Sequence, residues 1–131
     1  MIYSFLQNGD SAVTVQFENK ISEDVNREVT GLCNTIEAKG INGVIELVPT
    51  FASLTVFYDC TIISSKRLKK KITTLINDGE RSVKSKAIVW NIPVCYDDEF
   101  ALDMENVCNH TSLEKEEVIR LHTSKPYLIY M

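Results

Sequence analysis

The side-chain period changes three times between Ile2 and Gly79, from two to about 3.6 and back and again, and this alternation restricts the fold more than any other feature. "IYSFLQ" and "AVTVQFE" alternate apolar and polar residues around Asn8-Gly9-Asp10-Ser11, a set of turn formers, so they predict a hairpin. Val25, Val29, Leu32 and Ile36 then recur at helical spacing. Ser22 precedes them as an N-cap, Glu23 and Asp24 suit the positive first turn, and Gly40 is a stop signal, which predicts a helix from about Glu23 to Lys39. "GVIELVP" and "ASLTVFYD" make a second strand pair, broken at Pro49-Thr50. After it Leu68, Ile72, Leu75 and Ile76 form a second helical stripe, ending near Asn77-Asp78-Gly79.

"SKAIVWNIPV" returns to strand and gives the order ββαββαβ, an α+β fold with two helices covering one face of a mainly antiparallel sheet. Beyond Pro93, "YDDEFALDMENVCNH" and "TSLEKEEVIRLHTS" predict two short helices, the second opened by a capping box of Thr111 and Glu114. "SKPYLIYM" reads as a terminal strand. The expected organisation is an α+β sandwich over 1–94, followed by a helical extension and strand over 95–131.

With 131 residues, 44% of them apolar and 24% charged, the chain suits one compact globular domain. No apolar run approaches the roughly 20 residues of a spanning helix, and the N-terminus has no basic leader, so no membrane association and a cytoplasmic location are expected. A net charge of −4 argues against a nucleic-acid partner, whose phosphates need an excess of Lys and Arg. Cys33, Cys60, Cys95 and Cys108 lie far apart beside apolar segments, which predicts free thiols, buried and slow to react at Cys33 and Cys95, with neither disulfide nor metal site.

"GDSAVTVQF", "VPTFASLTVFYD", "IPVCYDDEFALDMENV" and "EEVIRLHTSKPYLIYM" resemble, in order and spacing, the N-terminal half of one family. It contains the B subunit of 5-oxoprolinase, allophanate hydrolase subunit 1 and the Kip-type inhibitors of sporulation histidine kinases. The resemblance implies that "YLIYM" leads towards a cyclophilin-like β domain not contained in this sequence, so that the chain is a fragment, inactive alone. It implies a 5-oxoprolinase component acting with other subunits in the ATP-dependent conversion of 5-oxoproline to glutamate. Inhibition of a histidine kinase, or the role of allophanate hydrolase subunit 1, is the alternative. The family pattern matches Gly9, Asp10, Pro49, Ser53, Asp59, Tyr96, His122 and Tyr127, whereas a common Arg is replaced by Ala52 and "FALDM" stands where Gly-Pro-Asp-Leu is usual.

The candidates for a ligand or subunit contact are therefore Asp10, Ser53, Tyr96, His122 and Tyr127, with no catalytic residue assigned. Each also has a structural reading. Asp10 and Asp59 suit turns, where a carboxylate accepts from loop amides. Ser53 lacks a Gly-x-Ser-x-Gly elbow, and His122 stands near a helix C-terminus, where it can bond the last carbonyls. The clustered acids in "YDDEF" and "EKEE" do not supply the two unlike environments that acid–base chemistry needs. No glycine loop cradles a phosphate, so no cofactor is expected here and ATP belongs to the complete complex. Lys66 to Lys71, "KRLKKK", reads as a solvated helix face or a patch for an acidic partner. An apolar terminal strand with few charges implies weak self-association.

Overall fold

A computed structural model describes residues 2–79 and 88–130. The chain divides into two compact units, Met1–Ser85 with Tyr130–Met131, and Lys86–Ile129. In the first, β1 (Ser4–Asn8) and β2 (Ala12–Gln16) pair antiparallel, with Asn8 opposite Ala12. Gly9 takes a φ of 62° in the turn between them, the left-handed conformation that glycine adopts without cost. β3 (Val44–Pro49) and β4 (Ser53–Tyr58) form the second antiparallel pair. Their bend is held by Thr50, whose backbone N–H donates to the Ser53 carbonyl at 2.8 Å and whose Oγ1 accepts from the Ser53 N–H at 2.9 Å.

The two hairpins join through β2 and β4, giving the order β1-β2-β4-β3. Their register sets Val13 opposite Val56 and Val15 opposite Leu54. The period of two puts these four on one face, where all are fully buried. The alternate positions carry hydroxyls: Thr14 and Thr55 are opposite each other, with Oγ1 atoms 2.8 Å apart.

Helix α1 (Glu23–Lys39) starts at Ser22 and stops at Gly40, whose φ of 55° and N–H to the Glu37 carbonyl end the last turn as expected. Helix α2 (Ser65–Asp78) starts at Ser64, whose hydroxyl accepts from the Arg67 N–H, and stops at Gly79 with φ 66°. Val29, Leu32 and Ile36 of α1 and Leu68 and Ile72 of α2 share one buried cluster with Val13, Val15, Leu54, Val56 and Tyr58. Both helices therefore cover the same sheet face, and the α+β class is that expected.

Ser85 to Ala87 of the expected fifth strand lie outside the described residues, and Ile88–Val94 carries no strand. Nor does Pro126–Tyr130, the expected terminal strand. Alternation marks a segment able to pair, but a strand exists only where a neighbour supplies the hydrogen bonds, and Pro93 and Pro126 each remove a donor. The thiol expectation changes with it: Cys95 follows a segment that joins no sheet and is exposed, as is Cys60 in the turn after β4. Cys33 and Cys108 are half-buried, and burial, with the Glu37 charge second, raises the Cys33 pKa. No described helix is long and apolar enough to cross a membrane.

Candidate functional site

The second unit contains helices α3 (Met104–Thr111) and α4 (Lys115–Thr123), packed on one another. The expected capping box does not form. Thr111 is the last residue of α3, with its hydroxyl donating to the Val107 carbonyl at 2.7 Å, and Ser112 ends that helix at φ 57°. Glu114 itself is the N-cap of α4. A Thr hydroxyl four residues along a helix reaches the carbonyl behind it, and that local bond takes the place of the cap.

α4 brings three of the five candidates together. His122 lies in its last turn, Tyr96 precedes α3, and Tyr127 follows α4. The Tyr96 hydroxyl is 2.5 Å from His122 Nδ1, and the two rings meet edge to face with centroids 5.9 Å apart. The Tyr127 ring lies 5.8 Å from the imidazole, tilted by 41°. The Lys125 ammonium stands 6.0 Å from the Tyr127 centroid, at the limit of a cation–π contact.

This geometry replaces the expected bond from His122 to the helix carbonyls. Ser124 takes that place, with its hydroxyl donating to the Leu121 carbonyl at 2.8 Å. With Nδ1 engaged by a phenol, Nε2 has no partner among the described residues. If Tyr96 donates to Nδ1, then Nε2 carries the ring proton and donates outward; in the other tautomer Nε2 accepts. Either way, a histidine in contact with two phenol rings, one of them near the Lys125 ammonium, presents one oriented hydrogen-bonding nitrogen suited to a carboxylate or amide group.

Two acids of the same unit are occupied otherwise. Lys115 Nζ donates to Asp98 Oδ1 at 2.5 Å, tying the segment before α3 to the first turn of α4 and holding the Asp98 carboxyl below its ordinary pKa. Arg120 donates to both Glu117 oxygens, at 2.6 and 2.7 Å, which lowers the Glu117 pKa. These are exposed ion pairs, screened by solvent and of small worth to the fold, and neither supplies a pair of carboxylates in unlike environments. Among the described residues no group of three or more His, Cys, Asp or Glu side chains is placed to hold a metal ion.

Asp10 and Ser53 belong to the first unit. Asp10 is exposed in the β1–β2 turn. Ser53 opens β4, where its Oγ is 2.9 Å from Thr50 Oγ1, so the hydroxyl is committed to the bend. Asp59 accepts from both the N–H and the hydroxyl of Thr61, at 2.8 and 2.6 Å, bonds that lower its pKa. Lys115 and Lys125 had no signal as site residues. Lys115 is 17 positions from its partner Asp98, and Lys125 stands in no pattern that marks a cation beside a ring.

Comparison with known proteins finds relatives of the chain. Residues 3–131 match the family described as carboxyltransferase domain, subdomain C and D. The chain is 36% identical over 140 aligned positions to the B subunit of 5-oxoprolinase from Bacillus subtilis (strain 168), an alignment covering 98% of this chain and 58% of that protein. Among solved structures, TTHA0988 is similar with a TM-score of 0.74 and 27% identity, over 91% of this chain and 23% of the other. The conserved uncharacterised protein PH0987 of Pyrococcus horikoshii is similar with a TM-score of 0.54 and 29% identity, over 93% of this chain and 56% of its own. The chain thus spans little more than half the length of the Bacillus and Pyrococcus relatives. A match across 129 of 131 residues, with the α+β fold to go with it, assigns the chain to the carboxyltransferase domain family, subdomains C and D.

Proposed function

We propose that this chain is part of the B subunit of an ATP-dependent 5-oxoprolinase, which opens the lactam of 5-oxoproline to glutamate together with other subunits. The observation that carries this reading is the 36% identity to the Bacillus 5-oxoprolinase component, spread over 98% of the chain. The residues divide the labour accordingly. This sequence carries no glycine-rich phosphate loop, so in this reading ATP is handled elsewhere in the complete complex, whose need for ATP fits a cytoplasmic setting. 5-Oxoproline presents a carboxylate and an amide, the two groups that the free His122 nitrogen and the Lys125 ammonium suit.

The test is reconstitution. The whole natural protein containing this chain is mixed with the other subunits encoded beside it, and glutamate release from 5-oxoproline is followed with and without ATP. Activity is expected only in the complete mixture with ATP, and His122→Ala is expected to lower it. Full activity after omission of this protein, or failure of any neighbouring subunit to associate with it, would remove the reading. Inhibition of a histidine kinase by the same preparation, without any glutamate release, would assign it a regulatory role instead.

A further inference from the structure

Helix α2 is charged against the polarity of its own backbone. Lys66, Arg67, Lys69, Lys70 and Lys71 fill five of its first seven positions, its first turn has no acid, and its last residue is Asp78. A helix N-terminus carries partial positive charge and its C-terminus partial negative, so the cations and the carboxylate each stand at the unfavourable end. Lys66 with Lys70 and Arg67 with Lys71 are also like-charge neighbours at i, i+4. None of these five cations has an acidic partner among the described residues.

The arrangement is rigidly presented. Leu68 and Ile72 are 0% exposed in the core and fix the rotation of the helix about its axis. At 3.6 residues per turn, Lys66, Lys70, Arg67 and Lys71 then fall within an arc of roughly 140° on the opposite side, and all four are exposed. They span about 7.5 Å of helix axis. A chain with a net charge of −4 thus concentrates on one small face cations that have no acidic partner among the described residues, two of them in the first turn where helix electrostatics disfavour them. An opposing negative surface relieves that cost and is steered to the face by it.

We propose that the outer face of α2 is a docking surface for an acidic segment of a protein partner. The footprint, about one and a half helical turns, matches a short acidic helix or loop. Positions 66–71 offer no exposed apolar or aromatic side chain to enter a bilayer or stack on a base, and the overall negative charge opposes a polyphosphate backbone. The inference does not depend on which enzyme complex the chain serves.

The experiment uses the full chain and a fluorescent oligoglutamate peptide as the acidic probe, with duplex DNA and phosphatidylserine vesicles as competing arms. Binding of the peptide is expected at low salt, weakening steeply as the Debye length falls from about 30 Å at 0.01 M to about 8 Å at 0.15 M. The double variant Lys66→Glu, Arg67→Glu is expected to bind on the order of tenfold more weakly at low salt while its thermal midpoint holds or rises, since acids suit a first turn. Lys20→Glu, which makes the same change of charge on an exposed residue between β2 and α1 that is not part of α2, is expected to bind nearly as well as the parent. The proposal is overturned if the parent fails to bind the peptide, if the double variant binds like the parent, or if Lys20→Glu loses as much. Tighter binding to DNA or vesicles than to the peptide at equal salt would overturn it as well.

Discussion

Gly43 is where one methyl group tests the packing of the first unit most sharply. It lies between α1 and β3 at φ 95°, and its carbonyl accepts from the Asp59 N–H at 2.8 Å, fixing the start of β3 against the end of β4. A Cβ built there meets Ile63 Cγ2 at 2.7 Å, Ile62 Cγ2 at 3.1 Å and Ile63 Cβ at 3.2 Å. Ile63 is 4% exposed within the core cluster, so it has little room to withdraw. Gly43→Ala therefore combines two costs: about 1–3 kcal/mol for a side chain held at that φ, and about 1–3 kcal/mol for overpacking. The sum, about 2–6 kcal/mol, is a large part of the stability of a domain this size.

The assay is urea unfolding followed by circular dichroism, with Gly9→Ala as the comparison. Gly9 has a φ of 62° but nothing within 4 Å of an added Cβ, so its substitution carries the backbone cost alone. Ile63→Ala supplies the second arm, because it removes the Cγ2 methyl that the new Cβ would strike at 2.7 Å, and in that background Gly43→Ala should cost less than it does in the parent. If Gly43→Ala and Gly9→Ala destabilise equally in the parent, or if Ile63→Ala relieves nothing, the steric argument is wrong.

Other outcomes follow from the same packing. Leu68→Ala and Ile72→Ala, each removing a fully buried side chain of α2, should cost about 2–5 kcal/mol apiece in urea, whereas Leu128→Ala, half-exposed, should cost well under about 1 kcal/mol. A thiol reagent should modify Cys60 and Cys95 first and Cys33 last, since burial both shields the Cys33 sulfur and raises its pKa, leaving less thiolate at neutral pH; mass spectrometry of the labelled peptides reads the order. Asp59 should titrate by NMR below the ordinary aspartate range. A depressed folded-state pKa means that its turn bonds stabilise the fold above the unfolded pKa and lose that effect as pH falls through the folded one, and Thr61→Ala should return the titration towards the ordinary value.

The local elements were legible in the sequence because their causes are local. The boundaries of α1, from Glu23 to Lys39, follow from a cap residue, an apolar stripe and a glycine that accepts a left-handed turn, and each acts within a few residues. The β1–β2 hairpin and the stop of α2 at Gly79 have the same kind of origin. Tertiary structure decided what these signals leave open. That β2 pairs with β4, leaving β3 on the far side of the second hairpin, depends on contacts between residues as distant as Thr14 and Thr55, 41 positions apart. Ile88–Val94 and Pro126–Tyr130 carry the apolar, strand-favouring residues of strands but join no sheet, because composition describes one chain segment and a strand requires a second. The meeting of Tyr96, His122 and Tyr127 was equally out of reach: the family resemblance named them one by one, and only the course of α4 brings His122 into contact with both rings. Periodicity and capping are short-range and can be read along a sequence, whereas pairing and convergence are set by which distant surfaces exclude water from each other.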